Sequence, residues 1–228
     1  MKYRDDLIQE IDELLEYDRK HFDSILTSQS LGILLSEAPA KGKRRSIGVA
    51  QVNPQVKLVL VDLAESLKDF PEWCVVGGTA INAYAQPRYT GDVDILILSG
   101  WGVEKLTPFL EQNNFFKRIS FHIFRHIKTG LKLDFVVPGK VQALTPERAK
   151  KILSTSLEDK INEISIKVAS IQGLTVLKLM ANRRKDQADI IALLKAHGLQ
   201  DMSEWDLTRG EKRIYNNLWK ISQKEENI

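Results

Sequence analysis

The chain has 228 residues, 43% of them hydrophobic and 28% charged, with a formal net charge of +3. That length supports a sizeable core, and no apolar run approaches the ~18 to 20 residues a helix needs to span a bilayer, so no membrane-spanning helix is expected. The charge excess is too small to argue nucleic-acid binding from the total, and any such argument must rest on local clusters.

The opening MKYRDDLIQEIDELLEYDRK is charged from the start and lacks the apolar stretch of a secretory signal, so a cytoplasmic protein is expected. From Tyr3 to about Leu26, apolar residues recur at three- and four-residue spacings, the stripe of an amphipathic helix. Ser36 to Gly48 (SEAPAKGKRRSIG) follows as an exposed basic loop, and the N-terminal extension is expected to end there, giving a first segment of 1–48.

Pro54 to Phe70 has helical spacing, with Asn53 as its cap and Pro54 at the first helical position. The period then changes. Trp73 to Val76 reads as a short buried strand, Gly77 and Gly78 break it, and Thr79 to Ala85 reads as a helix ended near Pro87. The single cysteine, Cys74, falls inside that strand and is expected to be a structural thiol.

Asp92 to Leu98 is a strand, Val103 to Gln112 a helix, and Phe115 to Ile127 one or two strands. Thr129 and Gly130 offer a hairpin turn into Leu131 to Val137. Beyond residue 140 the pattern is mainly helical: Pro146 to Leu153, Leu174 to Asn182, Asp186 to His197 and Leu207 to about Lys224, with one short strand near Ile164 to Val168. The expected architecture is α+β, a small mixed sheet core over 49–140 with the N-terminal helical extension before it and a helical region over 141–228 after it.

Asp92 and Asp94 are two apart on a strand and so share one face of the sheet, where two carboxylates repel unless a proton or a cation comes between them. Asp134 interrupts another apolar strand, LKLDFVV, and a lone acid there calls for a partner. Three acids on two strands suit a hard ion such as Mg²⁺, completed by substrate phosphates. Gly77 and Gly78, between a strand and a helix start, let a backbone approach an anion. Arg88 and Thr90 stand just before Asp92, where a guanidinium would make bidentate phosphate contacts. His122, His126 and His197 show no metal-ligand spacing.

Gly77-Gly78, thirteen residues, Asp92-Val93-Asp94 and a later Asp134 resemble the signature of the DNA polymerase β-like nucleotidyltransferase superfamily. With VLKLMANRRKDQADIIALL from Val176 to Leu194, the chain is similar to AbiEii-type nucleotidyltransferases of abortive-infection and toxin–antitoxin systems. The resemblance implies Gly77, Gly78 and Thr79 in the nucleotide-phosphate turn, Asp92 and Asp94 as Mg²⁺ ligands, and Asp134 as third acid and base. It implies Lys178 as a phosphate contact and Asp189 as a further active-site acid.

The activity so implied is transfer of a nucleoside monophosphate from an NTP to a hydroxyl, with release of pyrophosphate. Alternatives are a nucleotide- or RNA-binding module without turnover, and an antibiotic nucleotidyltransferase. The partners implied are an NTP, tRNA or another RNA, and an antitoxin protein. Two basic clusters, Lys41-Lys43-Arg44-Arg45 and Arg183-Arg184-Lys185, would bracket the RNA.

Overall fold

A computed structural model of the chain describes residues 53–70, 72–98, 102–139, 144–161 and 163–224. The helix expected from Tyr3, the basic loop to Gly48 and the Lys41–Arg45 cluster lie outside those residues.

Helix α1 (Pro54–Ser66) begins where Asn53 accepts a hydrogen bond from the Gln55 amide, with Pro54 in its first turn. It buries Leu58, Val59, Leu60 and Leu63 completely. Strand β1 (Trp73–Val76) is buried along its whole length, as its unbroken apolar run demands. Helix α2 (Gly77–Tyr84) starts directly on the two glycines, so they form its first turn instead of a break before it. Then come β2 (Asp92–Ile97), α3 (Gly102–Gln112), β3 (Phe116–Arg118), β4 (Ile123–His126) and β5 (Lys132–Val136). A turn that includes Gly130, in the left-handed region at φ 73°, joins the last two strands.

The C-terminal part holds α4 (Pro146–Ser154), β6 (Leu157–Ile161), β7 (Ile164–Val168), α5 (Ile171–Ala181), α6 (Arg184–His197) and α7 (Arg209–Lys224). Strand β6 corrects the sequence reading, which expected one strand here. Its residues LEDKI are polar and largely exposed, because it is an edge strand that needs no apolar alternation. Helix α5 starts three residues earlier than its apolar spacing suggests, since Ser170 caps it through the Gly173 amide.

All seven strands form one mixed sheet in the order β3-β4-β5-β2-β1-β7-β6. Strand β2 runs antiparallel to β1 and parallel to β5, and β1 runs parallel to β7, so the sheet continues past residue 140. The fold is thus α+β. Helices α1 and α3 pack on one face, where Val93, Ile95, Phe124, Leu133 and Phe135 are buried. On that face the buried Asp62 of α1 meets His126 of β4 at 2.9 Å, and His126 also contacts the Thr129 hydroxyl at 2.9 Å. Helices α2, α5 and α6 pack together beside the other face.

Candidate active site

Register brings the three acids together. Asp94 lies beside Val76, the last residue of β1, on one side and beside Asp134 of β5 on the other. Asp92 lies beside Lys132 in the next row that shares this face. All three carboxylates therefore emerge on one face at the start of β2.

The glycines fit against them closely. A Cβ added at Gly77 would lie 1.7 Å from Asp94 Oδ2, so the carboxylate occupies the space a side chain would need, and φ of 65° disfavours other residues as well. At Gly78 an added Cβ would meet the Thr90 methyl at 2.6 Å and the Arg88 Nη2 at 3.3 Å. No side chain caps the start of α2, and helix N-termini carry amides without intrahelical partners. Thr79 is buried, and its hydroxyl donates to the Asp92 carbonyl at 3.3 Å, tying α2 to β2.

Charge repulsion is visible in the acids. Burial first, then repulsion from Asp92 and Asp134, pushes the Asp94 carboxyl up to about 6, against the attraction of Lys178 and Lys185. Burial also raises Asp134; Asp92 adds to that, while His122 and Lys132 oppose it. His122 Nε2 stands 3.7 Å from Asp134 Oδ1, a contact its place in the sequence does not announce. Among the described residues no three Asp, Glu, His or Cys side chains are drawn together tightly enough to hold an ion by themselves. Mg²⁺ does not need that, since it binds through one or two carboxylates and leaves other positions to water and phosphate oxygens. Carboxylates on one face, mutually repelling and set against a helix start, are a donor set that suits it.

Behind the acids runs a chain of ion pairs. Arg88 binds Asp189 side-on, Nε to Oδ1 at 2.8 Å and Nη2 to Oδ2 at 2.9 Å. Lys178 reaches Asp189 at 2.7 Å and Asp186 at 3.0 Å, and Asp186 receives Arg183 at 2.6 Å. Asp186, Asp189 and Lys178 are all buried. Burial pushes both carboxyls up, but the Arg183 and Lys178 bonds to Asp186, and the Arg88 and Lys178 bonds to Asp189, hold both below the usual range. Lys178 and Asp189, expected at the substrate, thus have each other as partners, and Arg88 is anchored by the same carboxylate while its Nη2 stays beside Gly78. Asp186 and Arg183 are members the sequence reading gave only as the first residue of a helix and as part of a basic cluster. Arg184 and Lys185 are exposed at the start of α6. Away from the site, Cys74 is buried and free, with its thiol pushed up to about 12 by burial, as a structural cysteine should be. His197 contacts the Tyr84 carbonyl at 2.6 Å.

No protein-family profile matches the sequence, and no curated protein is similar to it in sequence. Among solved structures, an antigenic nucleotidyltransferase-like protein from Paracoccidioides brasiliensis matches over 76% of this chain and 91% of its own, with a TM-score of 0.56 and 18% sequence identity. The fold of this chain is therefore nucleotidyltransferase-like.

Proposed function

We propose that the chain transfers a nucleoside monophosphate from an NTP to a hydroxyl acceptor, with Asp92, Asp94 and Asp134 as its acidic centre. The observation that carries this reading is the position of Asp94, set between the Gly77 turn and Asp134. The turn of Gly77, Gly78 and Thr79 and the Arg88 guanidinium form the side that takes the phosphates, through helix-start amides and a cation. Asp92 and Asp94 would hold Mg²⁺, which when bound would neutralise charge on the phosphates and on the leaving pyrophosphate.

The acceptor oxygen forms its bond to the α-phosphorus as the bond from that phosphorus to the pyrophosphate oxygen breaks. Asp134, raised by its surroundings, orients the hydroxyl and takes its proton. Lys178 and Asp189 act through Arg88, fixing its guanidinium against the Gly78 turn.

The test is transfer of label from each α-labelled NTP, with Mg²⁺, to total RNA, to protein and to small hydroxylated acceptors. Asp92→Asn and Asp94→Asn are expected to abolish transfer while the proteins remain folded, and Asp134→Asn to slow it by about 10²- to 10⁴-fold. Wild-type transfer by both Asn variants would end the mechanism. Mg²⁺-dependent NTP binding without pyrophosphate release, whatever the acceptor, would make the chain a binding module; label found only on small molecules would make it a drug-modifying enzyme. The motif resemblance extends the reading to a toxin restrained by an antitoxin, and induced expression should then arrest growth in a way that Asp92→Asn abolishes.

A further inference from the structure

Helix α6 uses one arrangement twice. Asp186 and Asp189, three residues apart and so on one face of the helix, are both buried, and each holds an arginine side-on. Arg88 gives Nε and Nη2 to the two oxygens of Asp189, and Arg183 gives Nε to Asp186 Oδ2 at 2.6 Å and Nη2 to Oδ1 at 3.2 Å. Lys178 joins the two acids, 3.0 Å from Asp186 and 2.7 Å from Asp189. The residues that carry these carboxylates are about 4.5 Å apart along the helix axis, so the two guanidinia are anchored less than a turn from each other.

Helix capping accounts for only part of this. The Asp186 carboxylate takes the Arg183 amide at 3.2 Å, as a capping acid does, but capping has no use for the side-chain bonds. Those bonds fix the plane of a guanidinium whose side chain is still 60% exposed. A fixed plane serves an anion that is met through two N–H groups at once, as a phosphate is. Arg88 spends a further donor on the Tyr89 carbonyl at 3.3 Å, whereas among the described residues nothing takes the Nη1 group of Arg183. The Asp186 bonds do most to keep the Arg183 guanidinium charged, against the cost of partial burial, and Asp94 adds to them, so Arg183 lies in the field of the acids. Helix α6 packs against α2, so Arg183 comes to the acids from the side of the Gly77–Gly78 turn and not from β5. In the proposed transfer the α-phosphorus lies at the acids, and the part of the NTP that runs from it over the start of α2 is the pyrophosphate. We propose that Arg183 is a second phosphate-binding guanidinium, oriented by Asp186 as Arg88 is by Asp189, and that it takes the two phosphates that leave. When the bond from the α-phosphorus to the pyrophosphate oxygen breaks, the charge collected on the leaving group meets a cation already in place. The proposal rests on the transferase reading for the role of that pyrophosphate, but not for the binding itself.

The experiment is calorimetric titration, in Mg²⁺, of the wild type, R183A, R183K and R184A with the four NTPs, the four NMPs and inorganic pyrophosphate. R183A should bind the preferred NTP and pyrophosphate at least about tenfold more weakly, the share of one or two charge-assisted hydrogen bonds, while its NMP affinity stays at the wild-type level. R183K keeps the charge without the planar fork and should lose nearly as much. R184A removes the same charge one residue on and should bind all three ligands as the wild type does. Circular dichroism at the titration temperature shows that each variant is folded.

Wild-type affinity for NTP and pyrophosphate in R183A or in R183K, equal losses in R183A and R184A, or an equal loss for NMP would each overturn the proposal. Pyrophosphate binding that depends on Arg183 in a protein that transfers no nucleotide would leave the proposal standing and refute the transferase reading. Nucleotide transfer by a protein whose NTP affinity R183A leaves unchanged would do the reverse, and a wild type that binds neither NTP nor pyrophosphate would refute both.

Discussion

At the residue scale, Asp94 carries the most informative perturbation. Its carboxyl sits at about 6 in the folded chain, against 3.8 for an ordinary Asp, so the folded state holds a proton more tightly than the unfolded one. The folded chain therefore loses stability as pH rises from about 4 through 6, by an amount on the order of 2 to 3 kcal/mol. Asp94→Asn removes this penalty: it should melt as the wild type does below pH 4 and above it at pH 7, and thermal melts of the pair across pH 3.5 to 8 read the difference directly. A constant difference at all pH values would refute the assignment. At Gly78 the obstacle to a side chain is the Thr90 methyl, so Gly78→Ala should weaken Mg²⁺–NTP binding and Thr90→Ser should partly restore it. Gly77→Ala faces the Asp94 carboxylate and a positive φ, and no Thr90 change should rescue it. Calorimetric titration of the four proteins decides this. The sequence announces the acids through their two-residue spacing and the loneliness of Asp134, because those are properties of one strand at a time. The apposition of Gly77 to Asp94 is not announced, since it depends on how β1 and β2 are paired across the helix and loop of residues 77–91.

At the element scale, α5 and α6 are joined to the loop before β2 by buried charge, not by apolar contact alone. Asp189 holds Arg88 and Lys178 together, and removing it leaves two cations short of a partner. Asp189→Ala should cost about 3 kcal/mol or more in chemical denaturation, the usual penalty for breaking a buried pair from one side. It should also weaken Mg²⁺–NTP binding as Arg88→Ala does, and the double variant should be no weaker than Arg88→Ala alone. Additive losses would show that Asp189 does not work through Arg88. The helices themselves are well announced by the apolar spacing of Leu174, Leu177 and Leu179 and by Asp186 near the start of α6. Their mutual contact is not, because Lys178 in an apolar context reads equally as a snorkelling side chain. Strand β6 escapes notice for a related reason: LEDKI lies at a sheet edge, so its hydrogen bonds come from β7 and its side chains follow no apolar pattern.

For the whole molecule, what matters is which strand closes the sheet. The glycines and the three acids lie between Trp73 and Val137, and the order of predicted elements suggests that 49–140 is a core with helices appended. The topology places β1 in the interior of the sheet, flanked by β2 and by β7, with Val75 beside Val168 and the Ala169 amide donating to the Val75 carbonyl at 3.0 Å. That pairing brings together residues more than ninety positions apart, which no local periodicity encodes. Contacts group residues 47–228 as one compact unit. A fragment ending at residue 140 would leave β1 as an open edge, expose one side of the buried run Trp73–Val76 and strand Arg88 without Asp189. Expressed alone, residues 47–140 should aggregate or show no cooperative thermal transition, whereas residues 47–228 should melt in a single transition. Circular dichroism and size-exclusion chromatography of the two proteins provide the measurement, and a soluble 47–140 fragment that melts cooperatively would show that the sheet is complete without β7.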